Sequence, residues 1–494
     1  MAKSIMIQGT MSNAGKSILV AGLCRVFSQD GFRVAPFKSQ NMALNSFITN
    51  EGLEMGRAQA VQAEACGLEP SVMMNPILLK PVTDMGSQVI VNGSVIGNMK
   101  ASEYFAMKHT LLPDIMRAFS SLSEQNDIIV IEGAGSPAEI NLKKDDIVNM
   151  GMAKRAKAPV LLVGDIDRGG VFAQLAGTLM LLDEAEQSMV KATIINKFRG
   201  DKEILIPGLR MLEEITKKTV AGVLPFLNID IEDEDSLSER LEKHNYIDGI
   251  DIAVIRLPKI SNFTDFTALE ATDCISIRYV ESVRNLGSPD LVIIPGTKNT
   301  ISDLKWLRQN GLEAAIKKLA AAGTAILGVC GGYQMLGLSI SDNEGIEGGD
   351  SIIGMELLPI QTEFSREKHR TRVSGSILNT EGKLNQLSGS YVEGYEIHMG
   401  VTTLRKSAMP FVQLDNGQYD GCFSGNIYGT YLHGFFDSSE CRAALLEAFC
   451  GSSSITAAAF DYKAYKQKQY DLLADGSREN LDMPLIYRIL EAGL

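Results

Sequence analysis

Two stretches of this 494-residue chain carry residue types that can do chemistry. The first is Gly9-Thr10-Met11-Ser12-Asn13-Ala14-Gly15-Lys16-Ser17. The backbone N–H groups of such a glycine-lined loop, with the positive end of a following helix, surround a polyphosphate. Lys16 adds a point charge, and the Ser17 hydroxyl reaches Mg2+. The usual spacing puts glycine where Thr10 stands, with Gly9 one residue earlier. The second stretch is Gly328-Val329-Cys330-Gly331-Gly332, a thiol among glycines at a strand-to-helix turn. That is the arrangement of an exposed nucleophile, because a tight turn admits no bulk and a helix N-terminus favours the thiolate. The plain alternative is a buried thiol beside two packing glycines. A thiol titrating near about 8.5 also needs a base, and His433, in Thr430-Tyr431-Leu432-His433-Gly434 roughly a hundred positions later, is the leading candidate among five histidines. His398 competes with it, while His109, His244 and His369 read as surface residues.

Further candidates stand at strand ends, where ligands collect in open parallel sheets. Lys38 and Gln40 follow Phe32–Phe37 and face either a nucleotide, the group it phosphorylates, or solvent. Glu132, closing Asp127-Ile128-Ile129-Val130-Ile131, is placed to hold Mg2+ beside the phosphates. Asn196, closing Ala192–Ile195, is read from position either as a turn residue or as an adenine contact.

The elements that must position these residues follow from the pattern. Ser4–Gln8 predicts a buried strand, and the apolar spacing of Leu19, Leu23, Val26 and Phe27 predicts a helix from Ile18 to Gln29, ending at Asp30-Gly31. Helices are expected over Glu54–Cys66 and from about Ser302 to Ala322. Strands are expected at Asn75–Pro81, Pro159–Gly164, Val220–Leu224, Ile252–Ile255, Asp290–Gly296 and Thr324–Leu327. Alternating strands and helices give an α/β protein with two doubly wound domains. The expected partition is 1–230 for nucleotide binding, an acidic linker at 231–249, a second domain at 250–445, and a helical extension at 446–494.

Composition limits the function. A net charge of −13 and a pI near 5.1 argue against a nucleic-acid or anionic-membrane surface. Met1-Ala2-Lys3 runs straight into a strand-like segment, and no apolar run approaches the roughly 20 residues of a membrane span, so a cytoplasmic protein is expected. Seven scattered cysteines without CxxC pairs suggest neither a disulfide framework nor a zinc site.

Across essentially its whole length the chain resembles the cobyric acid synthase family of glutamine-hydrolysing amidotransferases in cobalamin biosynthesis. The resemblance rests on Gly9–Ser17, Phe37–Met42, Glu132–Glu139, Asp165–Gly170, Pro295–Lys298, Gly328–Gly332, Tyr395–Gly400 and Tyr431–Gly434. The first domain is similar to dethiobiotin synthetase, a P-loop fold with the same longer glycine spacing, which reconciles Thr10 with nucleotide binding and strengthens Asn196 as an adenine contact. The C-terminal domain resembles a class I glutamine amidotransferase. Such domains usually carry Glu two residues after the histidine, where this chain has Phe435, so what orients His433 is open. The resemblance implies ATP- and glutamine-dependent amidation of four carboxylates of adenosylcobyrinic acid a,c-diamide. It further implies attack by Cys330, an oxyanion held by the N–H groups of Gly296 and Gly331, and Mg2+ on Ser17 and Glu132. The sister enzyme that amidates the a and c carboxylates shares this architecture, but the first-domain motifs disfavour it. A partitioning-type P-loop switch would normally carry an early loop lysine and a basic face.

Overall fold

A computed structural model describes residues 2–83, 86–232, 249–347, 349–451 and 460–494. Apart from Ile231, Glu232 and Gly249, the expected linker at 231–249 lies outside the described residues, as does His244. Two compact units emerge, and they do not divide the chain linearly. One comprises Met1–Ala43, Glu54–Glu232 and Ala464–Leu494; the other comprises Leu44–Leu53 and Asp233–Lys463.

The first unit is built on a six-stranded parallel sheet in the order Thr219–Pro225, Val190–Phe198, Val160–Asp165, Lys3–Gly9, Ile128–Glu132 and Val34–Phe37. Its central strands are apolar on both faces, with Ile5, Met6, Ile7 and Ile129 to Ile131 fully buried, as a sheet covered by helices on both sides requires. Glu54–Cys66 does not form one helix. Glu54–Gly56 is a strand, and the helix starts at Arg57 because Gly56 is extended and its N–H donates to Asn75 Oδ1 at 3.0 Å.

The expected C-terminal extension at 446–494 is not one body. Helix Ser439–Cys450 stays with the second unit, while residues from Ala464 onward join the first. Leu481, Met483, Ile486 and Leu490 pack among Leu19, Leu23 and Phe27 of the phosphate-loop helix. Tyr487 meets Phe27 edge to face at 5.3 Å, and Arg25 pairs with Asp471 at 2.7 Å.

The second unit has an eleven-stranded sheet. Ile275–Val280, Ile250–Ile255, Leu291–Ile294, Ala325–Val329 and Ile427–Thr430 run parallel. An antiparallel extension follows through Tyr419–Ser424, Met409–Leu414 and Ile360–Ile377, the last paired with Tyr391–Leu404. The helix expected from Ser302 to Ala322 is two, Thr300–Gln309 and Leu312–Ala321. Gly311 sits at φ 80° between them, a left-handed conformation that ends one helix and starts the next. Among the described residues no helix is long and apolar enough to cross a membrane.

Candidate active sites

In the second unit Cys330 follows the strand Ala325–Val329 directly and caps the short helix Gly331–Met335. Its backbone is held at φ 52°, ψ −108°, a strained conformation for a residue with a side chain. The surroundings enforce it. A Cβ on Gly332 would lie 1.9 Å from the Ile294 carbonyl oxygen, and one on Gly331 would lie 2.7 Å from Thr297 Cγ2. Both neighbours must therefore be glycine for the turn to close against the adjacent strand. The Cys330 thiol donates weakly to the Ile397 carbonyl at 3.5 Å. Among the described residues neither the Gly296 nor the Gly331 N–H has an acceptor, so both remain available to an oxyanion.

His433 comes to this turn from the end of the neighbouring strand. It is fixed by an antiparallel bridge to Tyr395, whose ring stacks on the imidazole at 5.2 Å. Its Cε1 passes so close to Gly296 that a Cβ there would lie 3.2 Å away. The residue that orients it is Asp265, in the turn Phe263–Phe266: Nδ1 of His433 lies 2.7 Å from Asp265 Oδ2, and the Gly434 N–H donates to Oδ1 at 3.1 Å. Phe435, at the position where class I amidotransferases usually carry Glu, is a core residue stacked on Phe411. The sequence carried no signal for Asp265, because it lies far upstream in no motif.

His433 Nε2 is buried and makes no hydrogen bond among the described residues. Burial acts to lower the pKa of this histidine, but the Asp265 carboxylate and then Cys330 outweigh it and push it up to about 10. The arrangement therefore favours an imidazolium at neutral pH, its Nδ1–H donating to the Asp265 carboxylate and its Nε2–H available for transfer. His398 is not part of this pair. Its ring stacks on Tyr431 at 3.7 Å, and its Nδ1–H donates to the Gly400 carbonyl at 2.7 Å.

In the first unit the phosphate loop leads into the helix Lys16–Gln29, with Gly15 at φ 92°. Lys16 folds back over the loop, donating to the carbonyls of Met11 at 3.0 Å and Gly135 at 3.2 Å. Gly9 explains the shifted spacing: a Cβ there would lie 3.0 Å from the Met11 oxygen and 3.1 Å from Lys16 Nζ. Room for the folded lysine is thus made at position 9. Thr10 can carry a side chain, and its hydroxyl donates to Gln174 at 3.1 Å.

Glu132 gathers the polar groups around it. Its Oε1 accepts from Ser17 Oγ and from Lys38 Nζ, each at 2.8 Å, and its Oε2 accepts from Gln62 Nε2 at 2.6 Å. Gln62 Oε1 is buried without a partner among the described residues. A hydroxyl and a carboxylate side by side, with a further acceptor nearby, are the hard oxygen donors that suit Mg2+. Lys38, buried on the same carboxylate, balances its charge. Gln40 accepts from the Tyr104 hydroxyl. Asn196 reaches the loop itself, donating to the Ala14 carbonyl at 3.0 Å. Neither Gln62 nor this contact of Asn196 was foreseeable from motif or spacing.

Known proteins match the chain along its whole length. Residues 5–244 match a family described as the CobQ/CobB/MinD/ParA nucleotide binding domain, and residues 251–441 match the CobB/CobQ-like glutamine amidotransferase domain. The chain is 59% identical to a cobyric acid synthase of Ruminiclostridium cellulolyticum, covering all of this chain and 98% of the relative. It is 56% identical to one from Lachnoclostridium phytofermentans over the full length of both. Identity to one from Yersinia enterocolitica is 51%, over 99% of this chain and 98% of that one.

Proposed function

Because the chain belongs to the cobyric acid synthase family and is a glutamine-dependent amidotransferase with a nucleotide-binding domain, we propose that it uses ATP and glutamine to convert the b, d, e and g carboxylates of adenosylcobyrinic acid a,c-diamide to carboxamides. The observation that carries this reading is that one chain holds both a Cys330–His433–Asp265 arrangement and a phosphate loop facing a buried carboxylate. A free carboxylate is a poor acyl donor, so amidation needs activation as well as a nitrogen source. We place the reaction in the cytoplasm.

In the glutaminase half, Cys330 Sγ attacks the side-chain amide carbon of glutamine, and the resulting oxyanion is met by the Gly296 and Gly331 N–H groups. His433 gives its Nε2 proton to the departing ammonia while Asp265 holds Nδ1. It then takes a proton from the water that hydrolyses the thioester, releasing glutamate. In the synthetase half, Lys16 and the loop N–H groups hold the phosphates of ATP, whose terminal phosphoryl passes to a substrate carboxylate oxygen. Ammonia attacks that carbonyl carbon and phosphate leaves. Ser17 and Glu132 would hold Mg2+, which when bound supplies charge neutralisation on the phosphates. Lys38 orients Glu132 through its first oxygen, and Gln62 fixes the second.

The test is mass spectrometry of the corrinoid after incubation with ATP, Mg2+ and glutamine. Stepwise acid-to-amide conversion at the four named positions is expected. A corrinoid of unchanged mass, with glutamine hydrolysed, would overturn the substrate assignment.

A further inference from the structure

Beside the nucleophile, on the pair of strands Ile360–Ile377 and Tyr391–Leu404, three side chains with no part in the chemistry above converge. His369 and His398 are directly opposed across the strands, just past the irregularity in register between Phe364 and His369. The Glu396 carboxylate reaches toward both imidazoles. Its Oε2 is 2.9 Å from His369 Nε2 and 3.8 Å from His398 Nε2, and one ligand atom from each residue falls within 4.8 Å of the others.

His398 is fixed at the nitrogen that points away from this cluster. The Gly400 carbonyl, 2.7 Å from Nδ1, can only accept, so Nδ1 carries the proton. Nε2 of His398 is thereby turned toward the Glu396 carboxylate, 3.8 Å away. A second nitrogen donor, from His369, stands on the same oxygen. A backbone carbonyl fixing the far nitrogen of a histidine is also the outer support that metal-ligating imidazoles generally have.

We infer that His369, Glu396 and His398 form a binding site for a borderline divalent transition ion of the Zn2+ or Co2+ class, with an open coordination position. Two imidazoles and one carboxylate are a ligand set such ions take. The two separations from Oε2 bracket the edge of about 3.4 Å expected for a tetrahedron with bonds of about 2.0–2.1 Å. His369 is half exposed, which gives the ion an entry path, whereas Glu396 and His398 are largely covered. A bound ion would tie the two strands together on either side of Ile397, the residue whose carbonyl meets the Cys330 thiol.

The test uses full-length protein stripped with chelator, equilibrated with Zn2+ or Co2+, desalted, and measured for metal content and visible absorption. About one ion per chain is expected, with Co2+ ligand-field bands and no thiolate-to-cobalt charge transfer. His369→Ala, at a half-exposed position that folding tolerates, should weaken retention at least roughly tenfold, and His398→Ala should do the same. Three results would overturn the assignment: wild type that retains no ion, variants that retain it undiminished, or a charge-transfer band that places the ion on cysteine.

Discussion

Asp265 Oδ2 lies 2.7 Å from Nδ1 of His433, although 168 positions separate the two in the chain. The same carboxylate takes the Gly434 N–H, so one acidic residue sets both the ring and the backbone beyond it. Asp265→Asn preserves the shape but lets the side-chain amide donate, which inverts the imidazole tautomer. Glutamine-dependent amidation should fall about 10²–10⁴-fold, with ammonium-dependent amidation near normal. Assays with each nitrogen source side by side check this; a variant with unimpaired glutamine use would remove Asp265 from the mechanism.

Cys330→Ser should lose glutamine use, since a hydroxyl is a far weaker nucleophile at neutral pH, yet retain ATP-dependent amidation from ammonium salts at raised pH. A glutamine-analogue electrophile should label Cys330 before the other six cysteines, as peptide mapping would show. Cys450, exposed on the surface, is the natural control for unspecific labelling.

Lys16→Ala and Glu132→Gln should depress amidation with either nitrogen source by about 10²–10³-fold, because both act on carboxylate activation. Both Glu132→Gln and Glu132→Ala remove the carboxylate charge paired with the buried Lys38 ammonium, at about 3–5 kcal/mol of stability, and Glu132→Ala also removes the acceptor oxygen that Gln keeps for Ser17 Oγ and Lys38 Nζ. Thermal unfolding should therefore separate the two Glu132 variants. Near-normal ammonium turnover by either would dismiss the role given to this carboxylate.

Gly15→Ala strains a backbone at φ 92° and drives a Cβ to 1.9 Å from Asn196 Nδ2. The loop must open, and ATP affinity should drop by at least roughly tenfold, about 1.4 kcal/mol. Asn196→Ala should raise the ATP requirement with less effect on the maximal rate. Pairing Gly15→Ala with Asn196→Ala should recover part of the loss; isothermal titration with a non-hydrolysable nucleotide measures it.

The His433–Asp265 pair also sets a pH window. The folded-state pKa of His433 is the raised one, so its stabilisation is full below the ordinary value of 6.5 and is lost as pH rises toward about 10. Urea unfolding between pH 6 and pH 10 should show wild type losing stability relative to Asp265→Asn across that window, with a constant difference below it. Parallel curves would mean that Asp265 does not hold the proton.

The sequence made some of this legible and concealed the rest for physical reasons. Glu132 and Cys330 each stand where a buried apolar strand ends, Lys16 and Ser17 close the glycine loop that follows another, and an apolar run of that length announces itself. Asp265 sits in a four-residue turn with no periodicity, and its role depends on a fold that brings it to His433 from far upstream. The long helix expected after Ser302 breaks at Gly311, because a single left-handed residue outweighs a continuous run of good helix formers. The eighteen-residue strand Ile360–Ile377 is mostly polar and half-exposed past Phe364, so its pattern resembles a loop until its partner is in place.

The helices that complete the phosphate-loop unit are encoded after every residue of the amidotransferase unit. A nascent chain thus presents Leu19, Leu23 and Phe27 before the tail that covers them has been made. The glutaminase half can finish folding while the ATP-binding half still exposes an apolar flank. A chain cut short before Ala464 therefore keeps every residue of the glutaminase unit but lacks the tail against which the phosphate-loop helix packs.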